Sequence, residues 1–333
     1  MQPLPISNAG YPSAAQEQTS WIMARRPERN VHDVRKPYHA MLEQEIGPDG
    51  ILWDVATLFL VNRECPFRCM MCDLWKNTTE GAVDAGDIVA QVEAGLAQTG
   101  PGRAVKLYNS GSWFDPKAVP IEAYEPVARL VAGFERVIVE SHCAFLGERA
   151  EQFLMLLRRY NPNVVMEVAI GLETVHPELL ERLNKRVTTA DFVAAAEWLQ
   201  MRGMALRAFV LLRPPFLTED EGLEWAKRTI DIAIDNGATF TALIPVRGGN
   251  GAMDALRAAG DWAPPSLASL EDGLRHGLTI SGKLPHQRVT ADVWDISLFS
   301  DAGDAESAAI VTRINRMNIK QRIADAGTEF VSG

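Results

Sequence analysis

Three cysteines stand within eight residues of this chain, at Cys65, Cys69 and Cys72. Three thiolates on one short loop can ligate three irons of a cubane [4Fe-4S] cluster, which usually takes four cysteines. The fourth iron is then open to a ligand that is not protein. The spacing C-x-x-x-C-x-x-C therefore predicts a catalytic iron–sulfur cluster rather than a simple electron store.

Two other uses of cysteine stay open from the residues alone. A zinc site needs four ligands, commonly from two separated pairs, and the adjacent His142 and Cys143 could complete one here. A disulfide framework is typical of small secreted domains. This chain is long and has only four cysteines, so reduced thiols in a cytoplasmic protein are expected.

The composition is typical of a globular enzyme, with 333 residues, 47% hydrophobic and 23% charged. A net charge of −10 disfavours broad non-specific nucleic-acid binding. Basic residues are concentrated between positions 25 and 36. They form either a solvated arm or a phosphate-binding patch. We expect no membrane association and no secretion, because no apolar run is long enough to span a bilayer and the first twenty residues lack a signal pattern.

Short apolar runs alternate with amphipathic stretches along the chain. They predict strands at 54–62, 104–109, 136–141, 164–170, 205–212 and 240–246. They predict helices at 87–99, 121–132, 147–160, 177–183, 189–202 and 218–236. Six strand–helix units in series imply a parallel sheet with right-handed crossovers.

The flanks lack this alternation, which divides the chain into three regions. Residues 1–50 form an N-terminal extension, 51–250 the core, and 251–333 a C-terminal extension packed on it. The stretch 302–324 is Ala-rich and predicted to be helical. Gly248-Gly249-Asn250-Gly251 follows the last predicted strand.

Chemistry in parallel α/β barrels lies at the carboxyl ends of the strands, and the cysteine loop (residues 65–72) follows the first predicted strand. The second strand runs into the polar segment 109–112, where a glycine lets the backbone approach a ligand closely. The alternative is an ordinary turn, in which Asp115 caps the next helix.

Charged residues follow the later strands. Glu140 and Glu173 end the third and fourth, where each carboxylate either accepts hydrogen bonds from a ligand or pairs with a neighbouring arginine. Arg213 and Arg247 end the fifth and sixth. Each guanidinium either binds an anionic substrate group or caps the barrel rim, paired with Glu219 or Asp220.

Taken together, these motifs resemble the radical S-adenosylmethionine (radical SAM) superfamily, and in particular its elongator-type core. The motifs are the cysteine loop, NSGSWFD at 109–115, VESH at 139–142, EVAIGLET at 167–174 with Asn184-Lys185, and RPPFLTE at 213–219. Within that core, residues 50 to 250 are most similar to the radical SAM subunit of archaeosine synthase and its uncharacterised relatives.

The resemblance implies a six-stranded partial (β/α)6 TIM-like barrel with N- and C-terminal extensions. Its cofactors would be a [4Fe-4S] cluster on Cys65, Cys69 and Cys72, and S-adenosyl-L-methionine (SAM). The residues assigned to cofactor binding are Phe67, Met71, Asn109, Ser110, Gly111, Ser112, Glu140 and Glu173. The reduced cluster would cleave SAM to a 5′-deoxyadenosyl radical that abstracts hydrogen from the substrate.

The expected partners are an electron donor, such as flavodoxin or ferredoxin, and a polar small-molecule or nucleoside-like substrate. The substrate is expected to be anionic because of Arg213 and Arg247. One alternative is a tRNA-modifying enzyme of the archaeosine synthase type. The net negative charge of the chain and the compact cysteine loop do not favour it. A non-enzymatic alternative is a metal-dependent structural or sensory module.

Overall fold

The computed structural model describes residues 4–299 and 304–323. The strands in chain order are β1 His39–Ile46, β2 Leu52–Phe59, β3 Ala104–Tyr108, β4 Arg136–Glu140, β5 Val165–Glu173, β6 Ala205–Leu212, β7 Phe240–Pro245 and β8 Arg288–Ala291. The α-helices are α1 Ala15–Met23, α2 Ala85–Thr99, α3 Tyr124–Leu130, α4 Glu148–Tyr160, α5 Pro177–Arg182, α6 Thr189–Met201, α7 Glu219–Asp235, α8 Ala252–Ala258, α9 Leu267–Ser281 and α10 Ala305–Lys320.

All eight strands form one sheet in chain order. β1 runs antiparallel to β2, and every later neighbour is parallel. The six predicted strands correspond to β2 through β7, so the mixed α/β partial barrel is confirmed but the count of six was wrong. β1 was missed because Glu43 and Glu45 break its apolar pattern, and β8 because four residues are too short for a periodic signal.

Charged contacts across the concave face show that the sheet curls. Glu45 on β1 accepts two hydrogen bonds from Arg207 on β6, at 2.6 and 2.9 Å, and one from Lys106 on β3 at 2.6 Å. Arg288 on β8 donates to the carbonyl oxygens of Gly47 (3.1 Å) and Pro48 (2.7 Å) beyond β1. Helix α10 packs against both edge strands. The curled sheet is thus a partial barrel whose two edges are bridged by side chains and a helix.

Alternation along each strand sends one set of side chains outward to the helices and the other into the barrel. Leu58, Leu107 and Ala208 have no exposed surface and belong to the large core between the sheet and its helices. Phe59, Tyr108 and Phe209, their neighbours in sequence, therefore face the barrel interior.

The helix boundaries follow from capping residues. Thr188 and Asp191 form a capping box at the start of α6, and Thr218 and Glu221 form one at the start of α7. The predicted C-terminal helix is confirmed as α10, although residues 302, 303 and 324 of that prediction lie outside the described residues. In the part of the chain described here, every helix is too short or too polar to cross a membrane.

Candidate active site

The cysteine loop lies at the carboxyl end of β2, and neighbouring segments hold its backbone. The Met70 N–H donates to the Leu183 carbonyl (3.0 Å), and the Asn184 amide donates to the Arg68 carbonyl (2.8 Å). From beyond β7, the Asn250 amide donates to the carbonyls of Met70 (2.8 Å) and Cys72 (3.1 Å). The loop is therefore fixed by two asparagines that come from different parts of the fold.

None of the four cysteines forms a disulfide bond. Burial, together with the charge of a neighbouring cysteine, raises the pKa of Cys65 to about 11 and the pKa values of Cys69 and Cys72 to about 12. Three thiolates so close together need a strong local cation, which a metal cluster supplies. The donor set therefore fits an iron–sulfur cluster.

The zinc alternative finds no support in the side-chain positions. Within residues 4–299 and 304–323, no three His, Cys, Asp or Glu side chains converge on one metal position. The His142 ring is already engaged, with Nδ1 accepting from the Ala144 N–H (3.1 Å) and Nε2 lying 3.0 Å from the Lys185 carbonyl. A cubane binds each thiolate to a different iron, so its cysteines need not share one metal ion.

The segment after β3 carries buried polar atoms that lack a hydrogen-bond partner. Asn109 is fully buried, yet neither its amide nitrogen nor its amide oxygen has a partner among the described residues. Ser110 has a positive φ of 54°, a strained conformation that is common at ligand sites. A Cβ placed on Gly111 would lie 3.4 Å from the Cys65 Cβ, an ordinary van der Waals contact, so this backbone runs directly beside the cysteine loop. These features fit a polar ligand beside the cysteine loop.

The same segment is joined to the end of β4. The Ser112 hydroxyl accepts from the His142 N–H (2.9 Å). The His142 ring in turn stacks on Phe67, with centroids 3.8 Å apart. Asp115 accepts a hydrogen bond from the Lys117 N–H (2.9 Å). The turn of the alternative interpretation is therefore present. Met71, on the other side of the loop, packs against the core that contains Leu179 and Leu183.

Glu140 lies next to this segment at the carboxyl end of β4. Its carboxylate accepts from the Asn109 N–H at 3.1 Å. Burial raises the pKa of Glu140 to about 7, although the N–H groups of Asn109 and Ser110 act in the opposite direction. Such a carboxyl group changes charge near neutral pH, which is common at functional sites.

Glu173 ends β5 with a positive φ of 64° and forms an ion pair with Lys185. The absence of a side chain on Gly171 leaves the space that this pair occupies. Burial opposes the charged form of Lys185, but Glu173 and Cys69 outweigh it and raise the pKa of this lysine. The sequence analysis quoted Lys185 only within a motif and missed its role as the cation between the cysteine loop and Glu173.

Both candidate substrate arginines bind groups of the chain itself. Arg213 contacts Glu219 at 2.5 Å and the Pro264 carbonyl at 2.6 Å. Arg247 contacts Asp292 at 2.7 Å and also the Trp294 carbonyl. Each keeps a buried Nε that finds no acceptor in the described structure.

The barrel interior has an aromatic wall above a closed floor, which sequence reasoning did not anticipate. The rings of Tyr108 on β3 and Phe209 on β6 lie 6.4 Å apart across the barrel, and Phe59 lies 6.0 Å from Tyr108. All three rings are half-buried. Below them, Lys106 and Arg207 are only 5% and 3% exposed and are neutralised by glutamates. Solvent therefore reaches the aromatic layer and stops at the charged one.

Comparison with known proteins identifies the family. Residues 59–229 match the model of the radical SAM superfamily, which is just over half of the chain. The chain belongs to the radical SAM superfamily. It is therefore a radical SAM enzyme whose cofactors are a [4Fe-4S] cluster and SAM, and the non-enzymatic alternative is set aside.

Relatives of this radical SAM enzyme occur in archaea. An uncharacterised protein of Methanocaldococcus jannaschii is 24% identical over 263 residues, 74% of this chain and 71% of that protein. Archaeosine synthase subunit beta of Methanosarcina acetivorans is 30% identical over 65% of this chain, and that of Thermococcus kodakarensis is 30% identical over 57%. The matches span 64% and 58% of those two subunits.

Among solved structures, this chain has low similarity to one archaeal and one bacterial protein. Elp3 of Methanocaldococcus infernus has a TM-score of 0.49 at 13% identity, over 70% of this chain and 59% of that one. Coproporphyrinogen III oxidase of Escherichia coli has a TM-score of 0.44 at 14% identity, over 80% of this chain and 56% of that one.

Proposed function

We propose that this radical SAM enzyme abstracts a hydrogen atom from a polar small-molecule or nucleoside-like substrate held in the barrel interior. The observation that carries the proposal is the half-buried aromatic wall of Phe59, Tyr108 and Phe209, above a floor of neutralised charges. Aromatic walls with a few polar groups are typical of small-molecule sites.

The proposed cofactor site lies at the mouth of this interior. Cys65, Cys69 and Cys72 are assigned to the cluster. The residues assigned to SAM lie within the cysteine loop or in the strand ends beside it: Phe67, Met71, Asn109, Ser110, Gly111, Ser112, Glu140 and Glu173. When bound, the reduced cluster and SAM supply a 5′-deoxyadenosyl radical. The chain's own part is to bind SAM beside the loop, hold the substrate against it and exclude water.

The polar groups of the interior favour a substrate with hydrogen-bonding atoms. Tyr108 presents its ring beside Glu140, and burial raises the pKa of its phenol, which keeps the hydroxyl as a hydrogen-bond donor. A planar, polar ring would stack on the aromatic wall and bond to this hydroxyl. An anionic substrate group at Arg213 or Arg247 remains part of the proposal, and it would have to compete with Glu219 or Asp292.

A tRNA-modifying activity of the archaeosine synthase type is the second candidate. The two archaeosine synthase subunits at 30% identity favour it. The net charge of −10 opposes it, because tRNA binding depends on neutralising phosphates. Parallel assays with nucleosides and with unmodified tRNA separate the two candidates.

The test is transfer of deuterium from labelled substrates into 5′-deoxyadenosine. Tyr108→Leu and Phe209→Leu should reduce substrate-dependent transfer and leave uncoupled 5′-deoxyadenosine formation in place. Tyr160→Leu is a matched control, since this tyrosine lies on α4 outside the barrel and pairs with Glu125. Unchanged transfer in both interior variants would contradict the proposed substrate site.

A further inference from the structure

The segment Gly248-Gly249-Asn250-Gly251 reaches from β7 to the cysteine loop. Asn250 is only 2% exposed. Its amide nitrogen bonds to the carbonyls of Met70 and Cys72, and its amide oxygen accepts from the Met253 N–H at 2.7 Å. Every hydrogen-bonding atom of this side chain is therefore engaged, and two of its three bonds hold the loop.

A second asparagine holds the other end of the loop. The Asn184 amide donates to the Arg68 carbonyl (2.8 Å) and to the Thr19 hydroxyl (3.1 Å). Asn184 has a positive φ of 55°, a conformation that asparagine tolerates better than most residues. Arg68 precedes Cys69, and the carbonyls held by Asn250 lie on each side of Met71.

These bonds fix the orientation of the loop's peptide groups. In a planar trans peptide the C=O and the following N–H point in opposite directions. The N–H groups of Met71 and Asp73 must therefore point away from Asn250, and neither meets a protein acceptor within the described ranges. Hydrogen bonds to cluster sulfurs help to set the reduction potential of iron–sulfur proteins.

We propose that Asn250 and Asn184 are positioning residues for the iron–sulfur cluster: their amides hold the loop carbonyls, keep the three thiolates at the required spacing and leave the loop N–H groups available to the cluster. This inference rests on the proposed assignment of the cluster to Cys65, Cys69 and Cys72, and it does not depend on the substrate. Partners outside the metal's own ligands commonly change metal affinity by about ten- to a hundredfold.

The test compares Asn250→Ala with a matched control, Asn161→Ala. Asn161 also donates to two carbonyls, those of Ala132 (3.1 Å) and Phe134 (2.9 Å), and accepts from a nearby N–H, but it lies before β5 at the opposite end of the sheet. The full chain is reconstituted anaerobically. Iron per chain, the rate of iron loss to a chelator, and the midpoint potential from redox titration by electron paramagnetic resonance are then measured.

We expect Asn250→Ala to lose its cluster about ten- to a hundredfold faster than the wild type and to have a more negative midpoint potential. Asn161→Ala should match the wild type in both, even if the melting temperatures of the two apo-variants fall equally. Should Asn250→Ala not fold, Asn184→Gly, which keeps the left-handed backbone, should show the faster loss. If the wild-type chain holds iron and the Asn250 and Asn184 variants match the control in the rate of iron loss and in midpoint potential, this inference alone is overturned. If the wild-type chain takes up no iron, the cluster assignment is overturned as well.

Discussion

Lys185 and Glu173 form a nearly buried ion pair at the carboxyl end of β5, beside the cysteine loop. The two residues are brought together by a β-bulge that turns Glu173 out of register and by the turn between α5 and α6. SAM carries both an ammonium and a carboxylate on its methionine part, so this pair offers a group of opposite charge to each.

The pair leads to a prediction about SAM affinity. Glu173→Gln and Glu140→Gln should each weaken SAM binding by about 1.5–3 kcal/mol, or about ten- to a hundredfold, because each removes a charge-assisted hydrogen bond. Calorimetry on reconstituted protein measures the effect. Glu135→Gln is the control, since Glu135 pairs with Arg103 on the surface. Normal SAM affinity in both site variants would make these carboxylates structural.

The cluster assignment predicts the outcome of cysteine replacement. Cys65→Ala, Cys69→Ala and Cys72→Ala should each abolish or destabilise the iron–sulfur absorbance, because a three-cysteine site has no spare ligand. Cys143→Ala should retain it, which makes it a matched control for loss of a half-buried thiol. A stable and fully active cluster in Cys69→Ala would refute the assignment.

The buried carboxyl of Glu140 predicts a pH-dependent effect on stability. Its pKa is raised to about 7 in the folded chain, above the value of about 4.3 expected when unfolded. Between these two pH values the folded chain binds more protons than the unfolded chain, so the free energy of unfolding falls as pH rises. The destabilisation by the ionised Glu140 is fully present above pH 7. Glu140→Gln should therefore raise the melting temperature of the apo-protein more at pH 8.5 than at pH 5.5. An equal difference at both pH values would contradict the shifted pKa.

The proposed anionic group on the substrate is tested at Arg213 and Arg247. Lysine keeps the charge but loses the bidentate geometry. We expect each Arg→Lys variant to slow substrate turnover, while uncoupled SAM cleavage and cluster content persist. A lower melting temperature with unchanged substrate KM would instead mean that the ion pairs with Glu219 and Asp292 are their whole role.

Sequence patterns predicted the parts of this fold that repeat. Each buried parallel strand is a short apolar run, so β2 through β7 were found with their helices, and the cysteine spacing pointed to the family. The outer strands depend on tertiary contacts instead. Glu43 and Glu45 fit β1 only because Lys106 and Arg207 neutralise them from other strands.

The residues that sequence reasoning missed act between distant segments. Asn250 lies 178 positions from Cys72, so its role depends on the barrel bringing β7 round to the loop after β2. Tyr108 and Phe209 meet across the barrel from strands that are not neighbours. A single sequence gives the type of each residue, but the curl of the sheet decides which of them come together.

The most direct test of SAM cleavage by this enzyme measures 5′-deoxyadenosine after the anaerobically reconstituted protein is reduced with dithionite in the presence of SAM. A [4Fe-4S] cluster on the three loop cysteines predicts about four irons per chain and formation of 5′-deoxyadenosine that disappears in Cys69→Ala. SAM that stays intact with an iron-loaded, reduced wild-type chain would contradict it, as would a chain that binds zinc and no iron.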